Sequence, residues 1–220
     1  MEAQFWHDRW HRREIGFHRE DVNPFLSRFL PQLPLSRGDT VFLPLCGKTR
    51  DIAYLLAQGF QVIGVELSET AVRELFEELA VIPEVATNSP FTVYRTDGFT
   101  IYVGDFFALE TQQLAAVAAI YDRAALVALP RDMRIKYTAH LRQICGNAPQ
   151  LLVTYTYDQT AIDGPPFSID AAEVSEHYGQ HYQITKLDEL EVEGGMKGKV
   201  PSREAVYFLR PSIETSESGR

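Results

Sequence analysis

Apolar residues of this 220-residue chain gather in short uninterrupted runs that alternate with amphipathic segments. The pattern is clearest between residues 40 and 66, where it predicts a strand at Val41–Leu43, a turn at Pro44–Lys48, a helix at Thr49–Gln58 and a strand at Gln61–Val65. Because a half-exposed antiparallel strand would alternate apolar and polar residues, the two runs indicate parallel strands that are covered on both faces. This stretch therefore predicts one right-handed βαβ unit.

The rest of the chain continues the alternation of helices and strands. Two amphipathic helices are predicted ahead of the first strand, Gln4–Ile15 ended by Gly16, and Pro24–Leu33 capped by Asn23. The later predicted helices are 68–79, 124–129, Asp132–Cys145 and Ala171–His177. The later predicted strands are Phe91–Arg95, Thr100–Val103, Val117–Tyr121, 151–158, Tyr182–Val192 and Glu204–Leu209, and residues 83–89 are predicted to be loop. We therefore expect one α/β domain over residues 1–220, with a helical lid (1–35), a core (36–210) and a polar tail (211–220).

Composition narrows the kind of ligand. The 30 acidic residues outnumber the 21 lysines and arginines, and a net charge of −9 opposes binding to nucleic-acid phosphates or anionic lipid. The two cysteines have no paired spacing, and no apolar run approaches the roughly 20 residues of a membrane span. We therefore expect a cytoplasmic monomer that binds a small molecule, with no nucleic acid and no membrane as partner.

The turn after the first strand, LPLCGK, limits the choice of that molecule. In a βαβ unit that binds a nucleotide, this turn offers backbone N–H groups to the ligand, and an acid about 20 residues further on binds the ribose. Gly47 and Glu66 have this spacing. A phosphate-binding Walker loop is disfavoured because Phe42 replaces its first glycine, and the dinucleotide fingerprint fails because Gly47 is the turn's only glycine. A nucleoside without a pyrophosphate, such as S-adenosylmethionine, fits better. A nicotinamide-dependent reductase and a non-catalytic nucleoside-binding sensor remain as alternatives.

Five linked motifs then resemble one family. The strings PLCGK, GVELSE, GDFF, YDRAALVALP and YDQ…GPPF occur in the order found in the thiopurine S-methyltransferase family of class I methyltransferases, bacterial type. The resemblance extends from Trp6 to about Leu209. It implies a Rossmann-like sheet of strand order 3-2-1-4-5-7-6 with an antiparallel last strand, and S-adenosylmethionine as cofactor. It also implies S-methylation of aromatic and heterocyclic thiols such as thiopurines, and bacterial members are associated with methylation of selenium and tellurium oxyanions.

The predicted cofactor-binding residues are Trp10, Leu45, Gly47, Glu66, Asp105 and Arg123. Helix periodicity alone favours core packing for Trp10, whereas the resemblance implies cofactor contact for Trp10 and cofactor or substrate contact for Arg123. From the residues alone, Arg123 is equally an ion-pair partner of Asp122 or Glu66. Asp105 is either the N-cap of a short helical stretch or a contact to adenine. Glu66 is expected to accept hydrogen bonds from both ribose hydroxyls.

The predicted substrate residues are Phe167, Lys197 and Arg203. Phe167 follows two prolines in a stiff loop, DGPPFS, which is expected to present its ring. Lys197 and Arg203 belong to the loop 193–203, which either guards the substrate side or is solvated, and its composition favours the solvated interpretation. A thiolate already carries its lone pair, so no catalytic base is expected, and Arg123 is expected to position the acceptor.

Three histidines raise the question of a metal site. His7 and His11 lie one helical turn apart, and His18 is nearby in the sequence. No further ligand stands at a fixed spacing from this pair, so we expect solvated or stacking histidines and no metal.

Overall fold

The computed structural model describes residues 3–212, which form a mixed sheet with helices on both faces. The polar tail predicted from residue 211 lies outside the described residues from position 213 onward. Within residues 3–212, none of the helices has the length and apolar character needed to cross a membrane.

The sheet has nine strands, which pair in the order β3-β4-β5-β2-β1-β6-β7-β9-β8. Their bounds are β1 Thr40–Pro44, β2 Gln61–Glu66, β3 Glu84–Asn88, β4 Phe91–Thr96, β5 Phe99–Val103, β6 Val117–Arg123, β7 Gln150–Tyr157, β8 Tyr182–Glu191 and β9 Ser202–Pro211. Strands β5, β2, β1, β6 and β7 run parallel, and β9 is antiparallel to both of its neighbours. The predicted order 3-2-1-4-5-7-6 thus describes the seven strands from β5 to β8, and the structure adds β4 and β3 at one edge.

Strand β3 corrects the loop that we predicted over residues 83–89. Its backbone pairs antiparallel with β4, from Glu84 opposite Arg95 to Asn88 opposite Phe91. All five of its residues are exposed. An edge strand that buries no face leaves no apolar alternation in the sequence, so hydrophobic patterning gave no sign of it.

The six α-helices are α1 Ala3–His11, α2 Pro24–Phe29, α3 Asp51–Ala57, α4 Glu69–Glu78, α5 Arg131–Ile144 and α6 Ala171–Tyr178. Several helical predictions were too long. The helix predicted over Pro24–Leu33 ends at Phe29 and continues only as the 3-10 turn Leu30–Gln32. Helix α1 ends at His11 and not at Ile15, because Arg13 adopts a left-handed backbone conformation with φ of 55° ahead of Gly16. The stretch 124–129 forms only the short 3-10 turn Leu126–Ala128.

Alternate residues of the central strands divide the core between the two faces of the sheet. Val41 and Leu43 of β1 belong to a cluster with α2, α3 and α4, whereas Phe42 belongs to a second cluster with α5 and α6. This is the expected consequence of side chains that alternate along a strand. Since both faces are covered, the carboxyl ends of the parallel strands remain as the edge where side chains meet a ligand.

Candidate active site

A cleft of about 540 Å³ lies between α1, the carboxyl ends of the central strands and the loop that joins β8 to β9. This is the edge at which open α/β sheets bind their ligands. Seven of the predicted site residues line it: Trp10, Leu45, Gly47, Glu66, Asp105, Arg123 and Lys197. Two predicted substrate residues, Phe167 and Arg203, do not.

Glu66 is fixed by the two segments that follow β1 and β2. Its Oε2 accepts a hydrogen bond from the Gly47 N–H at 2.8 Å, and its Oε1 accepts one from the Ser68 N–H, also at 2.8 Å. Burial raises the pKa of Glu66, and these backbone donors act in the opposite direction. Each carboxylate oxygen can accept a further hydrogen bond, so the group is oriented for donors that enter the cleft.

The turn that carries Gly47 is closed by the indole of Trp10. Gly47 has a φ of +54°, and a Cβ built at this position would lie 3.2 Å from the Trp10 ring. Trp10 is buried, and its ring also meets Phe17 edge to face at 5.6 Å between centroids. Leu45 shares the left-handed conformation, with φ of 46°, which is uncommon for a residue with a Cβ. Trp10 therefore both packs in the core and forms a wall of the cleft.

Asp105 has the capping role that its position in the sequence allowed. Its carboxylate accepts a hydrogen bond from the Phe107 N–H at 3.0 Å and caps the 3-10 turn Phe106–Ala108. Asp105, Phe106 and Phe107 also line the cleft. The helix-cap interpretation is confirmed, and the contact to adenine stays a prediction.

Arg123 makes neither of the ion pairs that the sequence left open. Within residues 3–212, no carboxylate oxygen lies within 4 Å of its guanidinium, and its Nε is buried without a hydrogen-bond partner. Asp122 is engaged elsewhere, since it accepts hydrogen bonds from the Leu126 N–H at 3.1 Å and from the Tyr137 hydroxyl at 2.7 Å. Glu66 is held by backbone donors, as described above. The guanidinium therefore lies at the cleft without a carboxylate partner among residues 3–212.

Two buried acids compensate the charge of Arg123 from a distance. Asp51 accepts a hydrogen bond from the Tyr121 hydroxyl at 3.0 Å, and Glu204 accepts one from the Tyr155 hydroxyl, also at 3.0 Å. Burial lowers the pKa of Arg123, but these tyrosines and acids outweigh burial, and the net shift is upward. Arg123 thus stays protonated without forming a direct ion pair.

The stiff loop places its prolines, and not its phenylalanine, in the cleft. Pro165 and Pro166 line the cleft, whereas the Phe167 ring folds back over Gly164 and packs 5.5 Å from the Arg134 guanidinium. The Phe167 N–H donates to the Val127 carbonyl at 2.6 Å, which holds this orientation. The expectation that the loop presents the Phe167 ring to the substrate is therefore wrong, because packing against the neighbouring turn determines where the ring lies.

The loop 193–203 is only partly solvated. Gly195, Met196 and Lys197 line the cleft, and Met196 is buried because its N–H bonds to the Val200 carbonyl at 2.6 Å and folds the loop inward. The solvated interpretation is wrong for the buried Met196, whereas Lys197 lines the cleft and is exposed. Arg203 instead lies on β9 and pairs with Glu189 at 3.1 Å, away from the cleft.

Many of the other cleft residues were missed by the sequence analysis, among them Arg9, Tyr137, Tyr155 and Met196. Tyr155 had a usable signal, since it lies near the carboxyl end of the predicted fifth strand, the same edge as Arg123. Arg9 precedes Trp10 on a helix that we considered only for its aromatic residues and its histidines. Tyr137 and Met196 looked like ordinary core residues.

The histidines do not converge. His7 and His11 are exposed and do not line the cleft, whereas His18 does. Burial and the charge of Lys48 lower the pKa of His18. Among residues 3–212, no three His, Cys, Asp or Glu side chains are grouped so that they could hold a metal ion.

Asp122 gives a prediction for the pH dependence of stability. Burial raises its pKa from 3.8 to about 6, against the hydrogen bond from Tyr137. The folded state therefore binds this proton more tightly than the unfolded state. The contribution of protonated Asp122 to the free energy of unfolding is complete below about pH 4 and is lost as the pH rises through about 6. A shift of about two units corresponds to about 3 kcal/mol. Asp122→Asn should remove this decrease of about 3 kcal/mol in the free energy of unfolding. Urea unfolding between pH 3.5 and 7 measures the effect.

The exposed Asp97, in the turn between β4 and β5, supplies the control. Asp97→Asn is expected to keep the pH profile of the unmodified protein. If Asp122→Asn also keeps it, the buried carboxyl of Asp122 is not the group that titrates.

Solved structures with a similar fold are methyltransferases. The structure superimposes on 1,6-didemethyltoxoflavin-N1-methyltransferase of Burkholderia thailandensis, solved with bound 1,6-didemethyltoxoflavin and S-adenosylhomocysteine. The TM-score is 0.64 at 16% identity, with coverage of 94% of this chain and 87% of that one. The magnesium protoporphyrin IX methyltransferase of Synechocystis PCC 6803, solved with bound S-adenosylhomocysteine, gives a TM-score of 0.59 at 14% identity, with coverage of 95% and 100%. At these identities the likeness establishes the class I methyltransferase fold.

Sequence relatives establish the family. A family model described as Thiopurine S-methyltransferase (TPMT) matches residues 1–210. The thiopurine S-methyltransferase of Xanthobacter autotrophicus is 50% identical over 210 residues, which are 95% of this chain and 99% of that protein. That of Teredinibacter turnerae is 46% identical over 215 residues, with coverage of 98% and 100%. The chain therefore belongs to the thiopurine S-methyltransferase family and is an S-adenosylmethionine-dependent methyltransferase.

Proposed function

We propose that this enzyme transfers a methyl group to the sulfur of aromatic and heterocyclic thiols, with thiopurines as representative acceptors. The observation that carries the proposal is Arg123, a guanidinium at the cleft with a buried and unpaired Nε. The walls near the stiff loop are apolar, with Pro165, Pro166 and Met196 among them. A flat acceptor that carries a negative charge suits such a surface, since a guanidinium orients an anion through its planar donors.

The cleft also fits the methyl donor. Glu66 is oriented for the ribose hydroxyls by its two backbone hydrogen bonds, and the Trp10 ring lies closely over the Gly47 turn because no Cβ is present there. Asp105, Phe106 and Phe107 would enclose the adenine, and Trp10 would cover the nucleoside. When bound, S-adenosylmethionine supplies an electrophilic methyl group on a sulfonium.

The chain's own contribution to the reaction is alignment and exclusion of water. Arg123 holds the thiolate so that its lone pair points toward the donor, and transfer then proceeds as an in-line displacement. Burial and the nearby Glu204 raise the pKa of Tyr155 to about 12, so its hydroxyl stays protonated at neutral pH and does not serve as a base. A thiolate needs no such base, whereas an alcohol or an ammonium would.

Matched acceptor pairs test the proposal. The sulfur compound and its oxygen analogue, 6-mercaptopurine and hypoxanthine, are each incubated with methyl-labelled S-adenosylmethionine, and selenite and tellurite are included as compact anionic acceptors. We expect label in the methylated thiopurine and none in the oxygen analogue. Binding of the methyl donor without transfer to any acceptor would instead support the sensor alternative, and transfer to oxygen would contradict the proposal.

We further infer that α1 acts as a lid over the bound cofactor. Its ties to the rest of the fold include the contact of Trp10 with the Gly47 turn and an ion pair at 3.3 Å between Arg13, just beyond α1, and Glu74 of α4. S-adenosylhomocysteine is therefore expected to slow amide exchange over residues 5–18 and to change tryptophan fluorescence. The chain has two tryptophans, so Trp10→Phe should abolish the fluorescence change and Trp6→Phe should retain most of it. Full protection of residues 5–18 in the free protein would exclude a lid.

A further inference from the structure

Tyr155 brings a neutral polar side chain to the cleft beside the cation of Arg123. Arg123 of β6 stands opposite Val153 of β7 in the parallel register, and Tyr155 follows Val153 by two residues on the same strand. Cross-strand partners share a face of the sheet, and so do residues i and i+2 of one strand, so Arg123 and Tyr155 project from the same face. Both line the cleft. Two neighbouring strand ends therefore present a cation and a tyrosine next to each other.

The hydrogen of the Tyr155 hydroxyl is committed to Glu204. The two residues are opposite each other in the antiparallel pairing of β7 with β9, and the hydroxyl donates to the Glu204 Oε1 at 3.0 Å. Glu204 is buried, and two further donors approach it, the Asn23 Nδ2 at 3.4 Å from Oε1 and the Arg19 Nη1 at 3.8 Å from Oε2. A carboxylate that meets donors on both oxygens serves as an acceptor, so the tyrosine is the donor in this pair.

Asn23 holds the Glu204 carboxylate in place from below the cleft. The Asn23 Oδ1 accepts a hydrogen bond from the Phe25 N–H at 2.8 Å, which leaves Nδ2 as the atom that faces Glu204. The Asn23 N–H donates to the Asp51 carboxylate at 2.8 Å, and Asn23 is fully buried. The direction of the hydrogen bond from Tyr155 is thus set by buried neighbours and not by free rotation of the hydroxyl.

This arrangement makes Tyr155 a hydrogen-bond acceptor toward the cleft. A phenol hydroxyl has one hydrogen and two lone pairs, so an oxygen that has given its hydrogen away can only accept. Within residues 3–212, the oxygen of Tyr155 receives no hydrogen bond from a protein donor. The neighbouring Arg123 offers donors only. A ligand that satisfies both residues carries an electron-rich atom next to a hydrogen-bond donor.

The position of Tyr155 associates it with the acceptor and not with the cofactor. In the sheet, β6 and β7 lie on one side of β1, whereas Glu66 belongs to β2 on the other side. The Tyr155 carbonyl accepts a hydrogen bond from the Ile169 N–H at 2.7 Å, which joins the end of β7 to the segment after the cleft-lining Pro165 and Pro166. Tyr155 therefore lies on the side of the cleft that we assign to the acceptor.

We propose that Tyr155 determines which thiols the enzyme prefers, by accepting a hydrogen bond from an N–H group next to the sulfur, and that Glu204 is the positioning residue that fixes Tyr155 as an acceptor. The preferred acceptors are aromatic thiolates with an amino group on the neighbouring ring atom. Arg123 binds the sulfur of such a molecule, and Tyr155 binds its amino group. This inference rests on the proposed thiol methylation and specifies its substrate class.

Two thiols of similar shape test the role of Tyr155 without turnover. 2-Aminothiophenol and 2-methylthiophenol differ only in the group beside the sulfur, an amine or a methyl. Each is titrated by calorimetry into the full-length protein saturated with S-adenosylhomocysteine, which has no methyl group to transfer. The ratio of the two Kd values cancels a general loss of folded protein. Tyr155→Phe is expected to lower the preference for the amine about fivefold, the size of one ordinary hydrogen bond.

Glu204→Gln tests the positioning role in the same titrations. A glutamine amide can donate to the Tyr155 oxygen, which turns the hydroxyl hydrogen toward the cleft, so the preference for the amine should fall although Tyr155 is present. Glu204→Asp keeps a carboxylate and should retain part of the preference. Tyr121→Phe is the matched control, because this hydroxyl also donates to a buried acid, Asp51, at 3.0 Å but lies outside the cleft, and it should keep the ratio.

Two outcomes of these titrations contradict the proposal. An unchanged ratio in Tyr155→Phe would overturn the specificity role of Tyr155. An unchanged ratio in Glu204→Gln would overturn the positioning role of Glu204.

A kinetic comparison separates this proposal from the proposed function. The same two thiols are compared by kcat/KM with S-adenosylmethionine, and we expect Tyr155→Phe to lower the value for 2-aminothiophenol selectively. If both thiols are methylated and their ratio is the same in Tyr155→Phe, thiol methylation stands and the role given to Tyr155 is wrong. If neither thiol is methylated but the ratio of Kd values still depends on Tyr155, the amine-binding site stands and the proposed function is wrong.

Discussion

Replacing Glu66 by alanine is expected to weaken binding of S-adenosylhomocysteine by about 1 to 3 kcal/mol, which is about 5-fold to 150-fold in Kd. The carboxylate is buried and already accepts hydrogen bonds from the Gly47 and Ser68 N–H groups, so it stands ready for two further donors from ribose. Its removal leaves those hydroxyls without partners in a site that excludes water. Calorimetric titration of the two proteins measures the difference.

Glu69 is a suitable control for this substitution, because it begins α4 only three residues later and bonds to Arg73 and Tyr94 outside the cleft. Glu69→Ala should leave cofactor affinity unchanged. Glu66→Gln keeps one acceptor oxygen and sets an amide donor against one of the two backbone N–H groups, so its affinity should lie between those of the unmodified protein and Glu66→Ala. A folded Glu66→Ala protein with normal affinity would show that Glu66 only supports the edge of the sheet.

The second large effect is expected for Arg123→Lys, which should lower kcat/KM for an aromatic thiol by at least about tenfold, or about 1.4 kcal/mol in the activation barrier. A lysine keeps the positive charge but cannot present the planar donors that fix the direction of a thiolate. Cofactor affinity and kcat/KM are measured together with the melting temperature, because Arg123 also balances the buried Asp51 and Glu204.

Arg134 provides the matched control, as a buried arginine outside the cleft that bonds to Glu173 and to the Leu129 carbonyl, each at 2.7 Å. Arg134→Lys should lower the melting temperature and leave turnover per folded molecule intact. If Arg123→Lys behaves in the same way, with normal turnover and a lowered melting temperature, Arg123 has a structural role and does not position the acceptor.

The parts of the site that lie on regular elements could be predicted from sequence. The spacing of Gly47 and Glu66 follows from a strand, a turn, a helix and a strand, and this local order fixes which ends meet at one edge of a sheet. Gly47 and Glu66 are indeed in contact, through the hydrogen bond from the Gly47 N–H. Helix periodicity could not decide the role of Trp10, because its ring both packs in the core and lines the cleft.

The parts that depend on packing between distant segments could not be predicted. Phe167 was expected in the cleft from the stiffness of its loop, but its ring is placed by Gly164 and Arg134, and Arg134 lies about thirty residues earlier in the chain. Arg9 and Lys197 are far apart in sequence and carry no motif. Both line the cleft only because helix α1 and the loop 193–203 fold against it.

The most direct test of the account is a competition in one reaction mixture. The protein is given methyl-labelled S-adenosylmethionine with equal concentrations of thiophenol, phenol and aniline, and the products are separated and counted. The proposed function predicts label in the methyl thioether, with neither the ether nor the methylated amine above the background without enzyme. Label in the ether or the amine, or no label in any product while S-adenosylhomocysteine still binds, would contradict it.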